Sequence, residues 1–314
     1  MGKHFSLMLG ALLLLSLGPV RVSAQDANTS PPAASTQEAR DAEAKAAWEA
    51  AMSAAVKGPA EVPFKAQAVL KLPIGYMFVP AKDSDRLLRA WGNSGGGDGF
   101  VGLVTPGAPD EDWFITADFV DAGYVKDEEA KNWDTEALLK SSRDGVEAEN
   151  ADRAARGFPK IQVDGWIEKP TYDATQHRLI YSTALSAIGA KPEDERSVNF
   201  HTYALGREGY FALDLVTGSN SIGRFKDRAK TVLGALDYNP GKRYEQFVAG
   251  TDRIAEYGIA ALVAGVAAKQ LGLLALAGLA LAKFGGALVA FAKPIGIGAV
   301  ALVAGVGRFF RRRK

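Results

Sequence analysis

Residues 198–216 read VNFHTYALGREGYFALDLV, in which two runs rich in aromatic and aliphatic residues flank the four residues Gly206-Arg207-Glu208-Gly209. Runs of this composition, bounded by glycine, are typical of β-strands. Because the connection is so short, the two strands are expected to lie antiparallel as a hairpin. The stretch therefore predicts an antiparallel sheet as the basis of the fold.

The same kind of pattern continues toward the N-terminus. We predict further strands at residues 66–72, 76–79, 100–104, 113–120, 162–168 and 178–187, and helices at residues 83–91, 134–156, 225–236 and 243–256. Helices gathered beside hairpins indicate an α+β fold, in which one antiparallel sheet carries packed helices. We expect this domain to span residues 60–250.

Two of these elements also predict which side chains face the core. In the strand at 113–120, alternate positions are apolar and predict a sheet buried on one side: Trp113, Ile115, Ala117 and Phe119. In the helix at 134–156, we expect three residues to face the core: Ala137, Leu138 and Ala148.

The first 59 residues precede the predicted domain. Residues 1–24 have a short basic start, an apolar stretch and the small-residue pattern Val22-Ser23-Ala24, which predicts a secretory signal peptide. An uncleaved N-terminal anchor is the alternative, but the apolar stretch is shorter than a membrane span needs. Residues 25–59 are predicted as a spacer followed by an alanine-rich helix that packs loosely or projects.

The C-terminal end is the most apolar part of the chain. Residues 251–307 predict a membrane anchor with two candidate spans, 258–282 and 284–307, each long enough to cross a bilayer. Residues 308–314 form a basic tail that predicts a cytoplasmic end. We favour one crossing by 284–307, with 258–282 lying in the interface or packed as a re-entrant helix, over a two-crossing hairpin that would leave the tail outside. The lipid bilayer is thus the predicted partner of residues 257–307.

Charge and cysteine content narrow the possible functions. Residues 25–250 carry 26 Lys and Arg against 34 Asp and Glu, so the folded part is mildly acidic. Nucleic-acid binding requires clustered basic residues on the folded part, and none is expected here. The chain has no cysteine, which excludes disulfides, thiol catalysis and thiolate metal sites.

Short motifs give no catalytic or cofactor assignment. Residues 92–96 match G-x-S-x-G around Ser94, but the predicted helix precedes this loop and a strand follows, the reverse of a nucleophile elbow. Residues 97–102 match G-x-G-x-x-G, yet they open a strand rather than a helix. His177 and His201 lie in predicted strands without a second ligand at metal-binding spacing. We therefore predict no catalytic residue, cofactor or metal.

Several short segments resemble a bacterial family known as domain of unknown function 2167. They are Trp91-Gly92-Asn93, Ala122 to Asp127 (AGYVKD), Asn150 with Arg153 and Gly157, Gly165-Trp166 with Pro170 and Tyr172, Leu205 to Gly209 (LGREG), and Tyr244 to Gly258 (YEQFVAGTDRIAEYG). The resemblance implies an exported domain with C-terminal membrane segments, and no established activity. The closing strands and helix are also similar to PsbP/Mog1-like domains, small α+β modules that serve as accessory or binding proteins.

Two functional hypotheses follow. The first is a membrane-tethered binding or accessory module of the bacterial envelope, anchored in the inner membrane with its main domain in the periplasm. Its candidate interaction residues are Trp91, Asn93, Tyr124 and Asp127, because loops carry binding sites more often than cores do. The alternative is an envelope hydrolase or transferase, in which Ser94 or an aspartate from 112–127 meets His177 or His201 at hydrogen-bond distance.

Overall fold

The computed structural model describes residues 37–93, 95–108, 110–131 and 133–264, all of which belong to one compact unit. The predicted signal peptide, the predicted membrane segments beyond residue 264, the basic tail and Ser94 lie outside the described residues. No helix in the described part of the chain is long and apolar enough to cross a membrane.

The described residues form an α+β fold. The helices are α1 (Gln37–Ala54), α2 (Ala81–Ala90), α3 (Thr135–Ala155), α4 (Ile222–Gly234) and α5 (Ala260–Ala264). The strands are β1 (Val56–Lys57), β2 (Ala60–Phe64), β3 (Ala68–Leu72), β4 (Tyr76–Pro80), β5 (Phe100–Pro106), β6 (Phe114–Val120), β7 (Ile161–Asp173), β8 (Arg178–Ala187), β9 (Ser197–Leu205), β10 (Tyr210–Gly218) and β11 (Leu236–Tyr238).

The predicted hairpin is confirmed and lies inside a large antiparallel sheet. The eight strands run in the order β1-β4-β5-β6-β10-β9-β8-β7. In the hairpin, Tyr210 of β10 pairs with Leu205 of β9, so that the four glycine-bounded residues form the turn. On its other edge β10 pairs with β6, which places the hairpin in the interior of the sheet.

A second sheet makes the prediction of a single sheet wrong. Strands β11, β3 and β2 form a separate three-stranded sheet, and the turn after β3 carries the chain into the larger one. Both β2 and β11 escaped prediction because each is short and contains a residue that is uncommon in strands, Pro63 in one and Asp237 in the other. Their pairing with β3 depends on long-range packing, which local sequence patterns do not record.

Both faces of the large sheet are buried, so the expectation of a sheet buried on one side is also wrong. Helix α4 and the small sheet cover one face, where Phe211, Leu213 and Phe225 form the core. The other face packs against α1 and α2 at one end and against α3 and α5 at the other. Consequently β6 is buried at six of its seven positions.

Three helix predictions need correction. Helix α1 is docked rather than loose, since Ala44, Ala47 and Ala51 are fully buried against α2 and Trp91. Small alanine side chains let the two helices approach closely, which compensates for the small apolar area that each buries.

Helix α3 presents a different face from the one predicted. Ala148 is exposed and Ala137 and Leu138 are only partly buried, whereas the buried residues are Leu139, Ser142, Val146, Asn150 and Arg153. The spacing is helical, but two of these side chains are strongly polar. They are buried because they bond backbone groups of neighbouring segments, a reason that apolar periodicity cannot reveal.

The predicted helix at 243–256 is reduced to one 3₁₀ turn, Tyr244–Gln246. Gly250 has a φ of +82°, and the Asp252 carboxylate accepts a hydrogen bond from the Val248 N–H, which closes a turn instead of a helix. We call residues 243–258 the connector, because they lead from the domain to the apolar C-terminal segment.

Candidate functional site

Trp91 and Asn93, two of the predicted interaction residues, lie in the interior. Their exposed fractions are 2% and 1%. The Trp91 ring lies between those of Trp48 and Phe114, with centroids 6.1 and 5.0 Å away. The Asn93 side chain donates a hydrogen bond to the carbonyl of Leu88. These two side chains hold the end of α2 against the core and present almost no surface to a partner.

Two arginines of the α3 end fix this segment. Arg153 Nη1 donates to the carbonyl of Gly92 at 3.1 Å, and Arg156 Nη1 donates to the carbonyls of Gly92 and Asn93 at 3.2 and 2.8 Å. Gly92 has a φ of +87°, and a Cβ there would lie 2.6 Å from the Phe158 ring. The Trp91-Gly92-Asn93 segment is thus a structural joint between α2 and α3.

Tyr124, the third predicted residue, belongs to a column of four stacked rings. The rings of Phe247, Tyr124, Tyr244 and His177 follow one another with centroid separations of 4.0, 4.3 and 4.1 Å. We call these residues the aromatic column. They come from three separate segments, the loop after β6, the turn between β7 and β8, and the connector. The column therefore ties the connector to the domain.

Asp127, the fourth predicted residue, lies beside this column. Its Oδ2 accepts a hydrogen bond of 2.7 Å from the Tyr172 hydroxyl, which is 3.3 Å from His177 Nδ1. His177 has a φ of +53°, an uncommon conformation for a residue with a side chain. Its position in the tight turn between β7 and β8 aims the imidazole at Tyr244 and Tyr172. The structure thus brings Tyr124, Asp127 and His177 together.

This cluster is suited to donating and accepting hydrogen bonds rather than to nucleophilic attack. Burial, reinforced by the bond to Asp127, raises the pKa of Tyr172, so its phenol stays protonated at neutral pH. Asp127 Oδ2 is 3.8 Å from His177 Nδ1, which is beyond hydrogen-bond distance. The Tyr172 hydroxyl lies within hydrogen-bond distance of both atoms. The contact that the enzymatic hypothesis requires is therefore not formed directly at His177.

His201 is also placed differently from that hypothesis. Its Nδ1 lies 2.8 Å from Oδ1 of Asp214, which is on the neighbouring strand β10. The hypothesis required an aspartate of 112–127 at this position. Both side chains are buried, and His201 Nε2 has no hydrogen-bond partner among the described residues. No group of three or more metal-binding side chains occurs within the described ranges.

The connector is fixed to the domain at several points. Arg207 donates two hydrogen bonds to the carboxylate of Asp252, at 2.6 and 2.7 Å. The backbone of Tyr124 pairs with that of Ile254 in a parallel bridge, and Tyr244 Oη donates to the carbonyl of Val125 at 2.9 Å. The connector thus behaves as part of the domain rather than as a flexible linker.

The start of the apolar segment is held in the same way. The carbonyl of Leu262 accepts hydrogen bonds from two buried tyrosines, Tyr181 at 3.0 Å and Tyr203 at 3.3 Å. Ile259, Leu262 and Val263 are at most 1% exposed and pack on the sheet. Residues near the start of the first candidate span, 258–282, are therefore core residues of the domain.

A family model described as "Protein of unknown function (DUF2167)" matches residues 56–293. The chain belongs to the DUF2167 family. A comparison with curated protein sequences finds no match. Among solved structures, the chain is similar to the solution structure of PsbP (CyanoP) from Synechocystis sp. PCC 6803, with 10% identity over 59% of this chain and 91% of that one, and a TM-score of 0.35.

The segments that carry the DUF2167 resemblance meet in space at two joints. Arg153 bonds the Gly92 carbonyl at the joint with Trp91-Gly92-Asn93, and Asn150, on the same helix, bonds the carbonyl of Ile161 at the start of β7. The loop at 122–127, Tyr172 and the connector meet at the aromatic column, and the Gly123 N–H donates to the carbonyl of Glu208 in the LGREG turn. In this DUF2167 protein, the motif residues thus hold separate elements together, and one joint fixes the path of the chain toward the apolar segment.

Proposed function

We propose that the protein is a membrane-tethered accessory module of the bacterial envelope, whose domain lies at the bilayer surface and binds an envelope protein there. The observation that carries the proposal is the docking of the connector and of α5 onto the sheet, with the Leu262 carbonyl bonded by two buried tyrosines. The chain therefore leaves the domain at a fixed point on its surface, and we place the connector side of the domain toward the membrane.

The exposed surface of the connector supports this orientation. Val248 and Ile254 are 47% and 45% exposed, although both are large apolar residues. Val248 follows Phe247, the ring at one end of the aromatic column, and Ile254 pairs with Tyr124, the next ring. Apolar and aromatic residues next to basic ones, here Lys126 and Arg253, are favoured at the membrane–water boundary. We place the protein in the inner membrane with this surface toward the headgroups.

The proposal also favours a single crossing. Since residues up to Ala264 pack in the domain, the first candidate span is left with residues 265–282, close to the shortest length that crosses a bilayer. The second candidate span, 284–307, keeps its full length. One crossing would leave the basic tail in the cytoplasm, in agreement with the preference of Lys and Arg for that side.

Cysteine labelling of spheroplasts tests the tether and its direction. The chain has no cysteine, so Lys191→Cys in the domain and Lys314→Cys at the end introduce single reporters. An impermeant maleimide should label the first in intact spheroplasts and the second only after lysis, with both proteins in the membrane pellet. Labelling of Lys314→Cys without lysis would refute the single crossing, and intact protein in the supernatant would refute the tether.

A further inference from the structure

A cavity of about 230 Å³ lies between the α3 end of the domain and the ends of β8, β9 and β10. Its walls are mostly apolar and include Phe114, Ile161, Leu185 and Val216. Arg153 also lines it, although this residue is only 2% exposed. A buried cationic residue thus contributes to the wall of a mostly apolar pocket.

The charge of Arg153 has no carboxylate partner in the described part of the chain. Its Nε donates to the carbonyl of Pro159 and its Nη1 to that of Gly92. Arg156, which makes a similar contact with Gly92, is paired with Asp152 at 2.7 Å. Two neutral carbonyls do not neutralise a buried guanidinium, and an uncompensated buried charge is strongly destabilising.

Glu149, one helical turn before Arg153, gives only partial compensation. Burial raises the pKa of Glu149 to about 7, with Arg153 opposing that rise. The carboxyl is therefore partly protonated at neutral pH. Arg153 itself stays charged, although burial lowers its pKa.

We infer that this cavity binds a small organic monocarboxylate, whose carboxylate accepts hydrogen bonds from Arg153 and whose apolar body fills the pocket. A guanidinium presents donors in a planar fork that matches a carboxylate. At about 30 Å³ for each water-sized volume, the cavity holds roughly eight non-hydrogen atoms. The inference is independent of the membrane tether and would stand if the tether failed.

The rim explains why a monoanion fits better than a phosphate. Three acidic residues line the cavity together with Arg196: Asp112, Asp194 and Glu195. Asp194 and Glu195 accept hydrogen bonds from the N–H groups of Lys191 and Asn220, so they close the surrounding loops. The negative charges of the three acidic residues repel a dianion more strongly than a monoanion. A ligand with one carboxylate can contact Arg153 while its apolar chain packs against the walls.

Calorimetric titration of the full chain in detergent tests the inference, with hexanoate as the probe. Hexylamine and inorganic phosphate serve as controls for the apolar chain and for charge. Hexanoate should bind, and Arg153→Gln should weaken it about tenfold or more, the usual effect of losing a charge-assisted hydrogen bond. Arg156→Gln is the matched control, because it disturbs the same Gly92 joint without lining the cavity; hexanoate affinity should stay within about twofold.

A second variant keeps the test decisive if Arg153→Gln fails to fold. Ser197 lines the cavity at the start of β9, where it pairs with Leu185 and Gly218, which also line it. Ser197→Phe should fill the pocket and abolish hexanoate binding while leaving Arg153 in place. Absence of hexanoate binding to the unaltered chain, equal binding of hexylamine, or an undiminished affinity in Ser197→Phe would overturn the inference.

Discussion

At the residue scale, the main result is that polar side chains of the family motifs connect elements of the fold through hydrogen bonds. Arg153, Asn150 and Tyr172 all bond groups on other elements. A buried polar side chain is stable only when its hydrogen bonds are satisfied, so each of these residues specifies one arrangement of its neighbours. This accounts for motif residues that perform no recognisable chemistry.

Glu149 should make stability depend on pH. Because its pKa is raised to about 7 in the folded protein, the native state binds its proton more tightly than the unfolded chain does. This carboxyl therefore destabilises the fold progressively as the pH rises from about 4.5 through 7. Glu149→Gln should raise the free energy of unfolding by about 3 kcal/mol at pH 8 and leave it nearly unchanged below pH 4.5.

Urea unfolding at pH 4.5 and pH 8 measures this effect. Glu136→Gln, at an exposed position in the first turn of the same helix, is the control and should show no comparable growth with pH. If Glu149→Gln raised the free energy of unfolding equally at the two pH values, the prediction would be contradicted.

Tyr124 should matter for the attachment of the connector. Tyr124→Ala removes the ring stacked between Tyr244 and Phe247 and should cost about 2 kcal/mol of stability. It should also make the connector more sensitive to limited proteolysis. Tyr124→Phe keeps the stack and should behave nearly as the unaltered chain does; equal sensitivity of both variants would show that the stacked ring is not what holds the connector.

Sequence patterns predicted these residues only in part. Tyr124 and Asp127 were singled out from a loop, and the structure places both at the joint that holds the connector. Arg153 and Tyr172 were noticed only as parts of the resemblance, because no local rule marks a polar residue for burial. Their partners are 61 and 45 residues away in the chain, at Gly92 and Asp127.

At the scale of elements, strong strands and capped helices followed their sequence patterns. Strand β8 has the predicted bounds, and α3 begins after Asp134, whose side chain caps its first turn. The failures occur where packing outweighs local propensity. Strands β2 and β11 exist because β3 lies between them, and the connector is not helical because Asp252 is held by Arg207.

Helix α1 provides a test of packing at this scale. Ala47 is fully buried, whereas its neighbour Ala46 is exposed. Ala47→Glu should destabilise the domain by about 3 kcal/mol, because it places an unpaired charge in the interface with α2. Ala46→Glu should have little effect. Tryptophan fluorescence of the Ala47→Glu protein should shift to the red as Trp91 becomes exposed; identical spectra and stabilities of the two variants would mean that α1 is not docked.

At the scale of the whole molecule, the connector is a part of the domain rather than a flexible linker. Sequence alone marked the onset of the apolar stretch near Tyr257 as the beginning of an anchor. The structure shows that Ile259 to Ala264 pack on the sheet, and no hydropathy pattern distinguishes such core residues from membrane residues. That the chain beyond residue 264 crosses a membrane stays a prediction.

Hydrogen exchange of the full-length protein in bilayers, followed through increasing denaturant, tests this claim most directly. The amide of Ile259, bonded to the carbonyl of Lys126 at 3.0 Å, should open with the same free energy as the amides of β10, because both belong to one cooperative unit. Replacing both Tyr181 and Tyr203 by phenylalanine should lower the two values together. An Ile259 amide that exchanges well before β10, or that stays protected by lipid after β10 has unfolded, would contradict the account.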